Sequence, residues 1–308
     1  MMRTVRSRAL LAAGALLAAS VAVGQVPASS PRSEAHVLDN APPPEVAGYV
    51  VTLQVEALAP GLKAPAAAVP EAQAVLGTLK APRTLASRLY LAQDLSRMEI
   101  VSTDFILPAG AIVLHRAGDK AYVLADPQTK TYAVMDAEPL LDALEGGAGI
   151  LHTQYSAKVQ HTDEKKLIAG MVCRKSLLTV GYVASIPLEN SRILVQQNND
   201  VEIWHTAGFA SAAALDHIFF KFQRDRTGEV RRAMAEGIGF PMEVKMVVTQ
   251  AGAGKKAGTV QPGSLHAAVT ELKKEAKLDS GLFRIPPADY RRVERLPWFS
   301  AAARPGGD

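Results

Sequence analysis

A lone thiol is the first candidate for chemistry in this chain. Cys173, in "KLIAGMVCRKSLLTV" at residues 166–180, is the only cysteine among 308 residues. As a thiolate it could act as a nucleophile, given a neighbouring positive group and partial exposure. Arg174 and Lys175 follow directly. The segment alternates like a strand, however, and alternation turns Arg174 to the face opposite the sulfur. Free cysteine elsewhere packs as a small apolar side chain, and that is the role expected here. Val172, Leu178 and Val180 oppose Cys173 and Leu177 in the alternation, so both faces of this strand are expected to be partly covered.

Other catalytic signatures are missing. The G-x-S-x-G elbow of serine hydrolases does not occur. The histidines, His36, His115, His152, His161, His205, His217 and His266, are scattered, with none at the i, i+3 or i+4 spacing of a metal site. No metal site and no cofactor is expected. "AGAGKKAGT" resembles a phosphate loop but lacks the required Gly-to-Gly-Lys spacing, and reads as a turn between strands. A hydrolase using Cys173 or a distant Ser/His pair is the weakest reading.

The opening residues point to export. Arg3, Arg6 and Arg8 precede an Ala- and Leu-rich apolar run over 9–23, and small residues follow at Ala22-Val23-Gly24. This is the layout of a secretory signal peptide over 1–24. Cleavage is expected before Gln25 or before Ser29. The run falls short of the about 18 strongly apolar residues of a membrane anchor. No cysteine follows it to carry a lipid, so a periplasmic or extracellular location is expected. The chain has 34 basic against 30 acidic residues. Without the three opening arginines 31 remain, which gives no footprint for nucleic acid. Basic stretches at "FQRDRTGEVRR" and "YRRVERL" read as solvated faces.

The elements behind these residues are mostly strands. Residues 25–47 are rich in Pro, Ser and Ala, without periodicity, and read as a disordered tether. A single domain is expected over 48–297, followed by a disordered tail at 298–308. Period-two alternation runs through "YVVTLQVEAL", "TLASRLYLAQD" and "SRMEIVST". A Pro/Ala-rich insertion at 60–82 carries a possible short helix at Glu71–Leu79. A meander follows, "GAIVLHR", "AYVLAD" and "TYAVMD", with Asp126-Pro127 at one corner. "AEPLLDALEGG" reads as a short helix. "FPMEVKMVVTQ" alternates most clearly, while "SLHAAVTELKKEA" fits strand or helix. The clearest helix is Ser211–Arg224, with Leu215, Ile218, Phe219 and Phe222 in one apolar stripe. With one cysteine there is no internal disulfide. At 48% hydrophobic the chain can bury a core by packing alone. The expected fold is α+β: a strongly curved antiparallel sheet, an incomplete β-barrel, covered by helices.

Several segments together resemble a family. "GMVCRKSLL" at 170–178, "VEIWHTAGF" at 201–209, "GFPMEVKM" at 239–246 and "SGLFRIPPADYRRV" at 280–293 resemble strands of the LolA/LolB-like periplasmic lipoprotein-carrier superfamily, in a branch known only as a domain of unknown function. The resemblance spans roughly Gly48 to Val293. It implies an incomplete barrel closed by helices over an apolar cavity that takes acyl chains. The insertion at 60–82 and the long tether depart from the minimal carrier, and no carrier residue for lipid retention maps onto this sequence.

The resulting expectation is an exported, non-enzymatic binding protein of the cell envelope. It would hold a lipid or acyl chain between sheet and helices. The expected lining is Val51, Leu53, Leu89, Leu91, Met98, Ile100, Phe219, Phe222, Phe240, Met242, Val244 and Met246, with the methionines supplying adaptability. The alternative is an envelope sensor or scaffold whose partner is another protein.

Overall fold

A computed structural model describes residues 45–58, 83–92, 94–105, 107–117, 119–137, 140, 151–188, 191–207, 225, 227–235, 237–252, 262–284 and 290–298. The strands are β1 (Glu45–Leu58), β2 (Arg83–Ala92), β3 (Leu95–Thr103), β4 (Ile112–Arg116), β5 (Ala121–Asp126), β6 (Thr131–Asp136), β7 (Leu151–Ile168), β8 (Met171–Leu188), β9 (Ser191–Thr206), β10 (Phe240–Gly252), β11 (Gly263–Asp279) and β12 (Arg291–Arg292). They form one sheet in the order β12-β6-β5-β4-β3-β2-β1-β11-β10-β9-β8-β7.

Alternation explains most of these strands. In β1, Val51, Val55 and Ala57 are buried, while Gln54 and Glu56 face solvent. β5 is buried at every position and accordingly carries an apolar run, with its one charge at the end. Asp126 closes the next corner by accepting from Gln128 N at 2.9 Å and Thr129 Oγ1 at 3.0 Å, the side-chain turn expected of Asp before Pro.

The expected architecture needs three corrections. The sheet is mixed, because β12 runs parallel to β6 while the other pairings are antiparallel. It is open, with β12 and β7 as its edges. It is not a helix-covered barrel: the α-helix described along its whole length is α1, Glu229–Ala235, which packs against β7. The helices expected at 71–79 and 211–224 lie outside the described residues, as does most of the one expected at 137–147. The ambiguous "SLHAAVTELKKEA" is strand. It pairs with β1 on one side and, over its first half, with β10 on the other, and those ladders override the helix preference of its Glu, Leu and Lys.

The sheet supplies its own interior. The largest core cluster draws Val55, Leu85, Val113, Leu124, Val180, Ile203, Val244 and Leu265 from eight of the strands. Val230 and Met234 of α1 join it. A second cluster gathers Val51, Leu89, Leu91, Cys173, Trp204, Phe240, Met242 and Val269. Leu53 and Met98 pack against both. On β10 an extra residue shifts the register between Pro241 and Glu243. Such a bulge re-aims the side chains on either side of it. Phe240 and Met242 accordingly belong to the second cluster, Val244 and Met246 to the first.

Candidate ligand-binding face

The expected lining residues come together, though not as one uniform strip. Val51, Leu89, Leu91, Ile100, Phe240, Met242, Val244 and Met246 are all buried, and Leu53 and Met98 are partly buried between the two clusters. Phe219 and Phe222 lie outside the described residues.

One polar group interrupts this apolar region. Ser87 is register partner to Leu53 on β1 and to Ile100 on β3, beside an irregularity in the β2–β3 ladder. It is fully buried, and its hydroxyl has no hydrogen-bond partner among the described residues. A buried hydroxyl left in that state costs about 1–3 kcal/mol. Several other buried polar groups on the sheet are satisfied. Ser96 Oγ donates to the His115 carbonyl at 3.0 Å. Gln197 Nε2 donates to Asn199 Oδ1, and Asn199 Nδ2 to the Val180 carbonyl, both at 3.1 Å.

The structure also assembles a serine between two imidazoles. Gly239 N–H donates to His205 Nδ1 at 3.0 Å, which leaves the proton of neutral His205 on Nε2. Nε2–H then donates to Ser176 Oγ at 2.8 Å, and Ser176 donates onward to His161 Nδ1 at 2.9 Å. Burial pushes His205 below its ordinary value, with His161 and Arg174 adding to the shift. Ser176 itself is fully buried. The chain of bonds ties β7, β8, β9 and the start of β10 together, and the serine oxygen offers no open path for attack.

Cys173 lies in the second cluster, fully buried, with its thiol donating to the Met171 carbonyl at 3.4 Å. Burial pushes the thiol above its ordinary 9.0, against the opposing pull of Lys166. That is the reverse of an activated nucleophile. Leu178 and Val180, of opposite parity on the same strand, are equally buried, but Val172, Arg174, Leu177 and Thr179 are exposed, so the expected cover on both faces of β8 is not found along its length.

Around Trp204 lies an ionic network that pattern reading missed. Lys166 Nζ stands 4.2 Å above the Trp204 ring and bonds to Glu243. Glu243 also meets His266 Nε2 at 2.9 Å and Lys245 Nζ at 3.2 Å. Burial alone would raise this carboxyl, but those three donors outweigh it and hold it at about 2. Trp204 Nε1 donates to Glu202 at 2.9 Å, and Lys175 bridges Glu202 and Glu164. These residues are spread over five strands, and cross-strand register, as in the pairs Trp204–Glu243, Trp204–Lys175 and Lys245–His266, brings them into contact. Among the described residues, no group of three or more His, Cys, Asp or Glu side chains is placed to hold a metal ion.

Comparison with known proteins adds little. No family model matches the chain, and no curated protein matches it. A solved structure that does match is an uncharacterized conserved protein from Thermus thermophilus. It is 9% identical, with 80% of this chain and 90% of that one covered, at a TM-score of 0.32. A likeness that loose carries no argument about function.

Proposed function

We propose that this is an exported, non-enzymatic binding protein of the cell envelope that holds a lipid or acyl chain against the apolar face of its sheet. Ser87 is the observation that carries the reading. A solid hydrocarbon core gains nothing from a buried hydroxyl without a partner, whereas a ligand with one polar end would satisfy it. The surroundings suit such a ligand. Leu53 and Met98 are only partly buried, and Met98, Met242 and Met246 are flexible side chains that re-pack around varied shapes. The resemblance to lipoprotein carriers implies the same ligand class, and the opening segment implies the same compartment.

The test is lipid extraction and mass spectrometry of protein purified gently from native envelopes. The expected result is co-purified acyl lipid in stoichiometric amount. Its absence, with the protein folded, would count decisively against the reading.

A further inference from the structure

The hairpin of β7 and β8 ends in a tip that the apolar sheet face does not explain. Ala169 and Gly170 form its two-residue turn, with φ of 45° and 80°. Positive φ at both central residues is the turn that matches strand twist, and it favours Asn or Asp before Gly. Here the first position is Ala, which adopts that conformation only under strain. The choice leaves "LIAGMV", residues 167–172, without one polar side chain at the end of two 18-residue strands.

The tip is apolar on the face it shows to solvent. Leu167 and Val172 are register partners, 69% and 64% exposed, more than any other large apolar side chain among the described residues. The next pair back on that face is Lys165 and Arg174, also register partners and both exposed. Neither has an ion-pair partner among the described residues. Like charges directly opposed across a ladder destabilise the pairing. Residues 165–175 contain no acid to offset them. Lys166 and Lys175 differ, since both are held by carboxylates of the Trp204 network. On the opposite face Ile168 and Met171 pack against the Cys173 cluster, so the tip is held in place from behind.

We propose that this hairpin tip is a docking surface for an anionic lipid bilayer. Leu167 and Val172 enter the boundary between headgroups and acyl chains, and Lys165 and Arg174 meet lipid phosphates. The spacing suits the task. Two residues of strand set the charges about 7 Å behind the apolar pair, and interfacial apolar faces sit about 5–10 Å deep. The attraction is local, because the chain as a whole is close to neutral once the opening arginines are set aside.

The experiment is sedimentation of the full chain with vesicles of phosphatidylcholine alone or with about one third phosphatidylglycerol. Wild type and variants carry the same N-terminal apolar run, so their difference reports the tip. The wild type is expected to bind anionic vesicles better. L167S/V172S is expected to bind them about ten-fold more weakly. K165Q/R174Q should lose about five-fold per charge, with a flatter salt dependence. These side chains are exposed, so melting temperatures should not fall, and K165Q/R174Q, which relieves the opposed charges, should melt no lower than wild type. L167W adds a direct readout, a blue shift of its emission with anionic vesicles. Undiminished binding by L167S/V172S, or L167W emission unmoved by vesicles, would overturn the proposal. So would capture of the wild type by an acidic protein but not by anionic vesicles, which would assign the tip to a protein partner.

Discussion

Ser176 Oγ lies 2.8 Å from His205 Nε2, and the serine is sealed from solvent. Because Gly239 N–H occupies the other ring nitrogen, His205 must stay neutral to accept from it. Its native pKa is depressed below the 6.5 of a free imidazole. The unfolded chain therefore takes up a proton first as pH falls. The stability this histidine contributes is complete above 6.5 and is lost as pH drops from there through the native pKa. Chemical unfolding across that range should show the decline. H205Q should start less stable at neutral pH and lose most of this slope. An unchanged slope in H205Q would place the titration elsewhere.

Glu243 sets a second, more acidic limb. Its native pKa of about 2 lies below the ordinary 4.5, so its contribution is present above 4.5 and disappears between 4.5 and about 2. Lys245 and His266 are about half exposed, so solvent screens part of the attraction. A contribution of about 1–2 kcal/mol remains. E243Q should lose that amount at neutral pH and flatten the acid limb. It also removes the carboxylate that fixes Lys166 over Trp204, so a shift in Trp204 fluorescence should accompany it.

Ser87 predicts opposite effects on stability and binding. Replacing it with Ala removes a hydroxyl that no described residue satisfies. Ligand-free S87A should be more stable than wild type by about 1 kcal/mol. The same variant should retain less polar-ended acyl lipid on purification, with little change for a plain hydrocarbon. A clear loss of stability in ligand-free S87A would mean that the hydroxyl is already bonded within the fold.

Cys173 should behave as a core residue. A thiol reagent such as dithiobis-nitrobenzoate should label it only as fast as the protein unfolds, and C173S should lose about 1–2 kcal/mol by placing a more polar group in an apolar cluster. Labelling within the mixing time of the folded protein would restore the nucleophile reading.

Gly48 explains itself by close approach. A β-carbon there would run into the Leu91 carbonyl and the Leu278 side chain. G48A is expected to cost about 1–3 kcal/mol, read as a lowered denaturation midpoint.

Strand content was legible in the chain because alternation follows from backbone geometry alone. The runs at 51–57 and 240–248 needed only a period of two, and the one at 121–126 a short apolar stretch between turn residues. The inward-facing apolar residues on β1, β2 and β3 were legible for the same reason. Helical cover was not a safe extrapolation. It rested on one stripe at 211–224 and on the premise that an apolar sheet face needs a different element above it. The Ser87 site was invisible, since a serine among apolar residues looks like any solvent-facing position until both neighbouring strands are known. The His161–Ser176–His205 chain joins residues 15 and 29 positions apart, and local spacing carries no trace of it.

What the amino-acid order determined by itself was local: which residues extend, which side of each strand is apolar, and that the lone thiol belongs with the apolar ones. Tertiary structure decided the rest. Bulges such as the one between Pro241 and Glu243 shift register, and a shift of one residue sends every following side chain to the other face. Strand order then chose the neighbours, giving Glu243 its three donors and leaving Lys165 facing Arg174. Pairing energies of this kind depend on partners far away along the chain, so no window of sequence contains them.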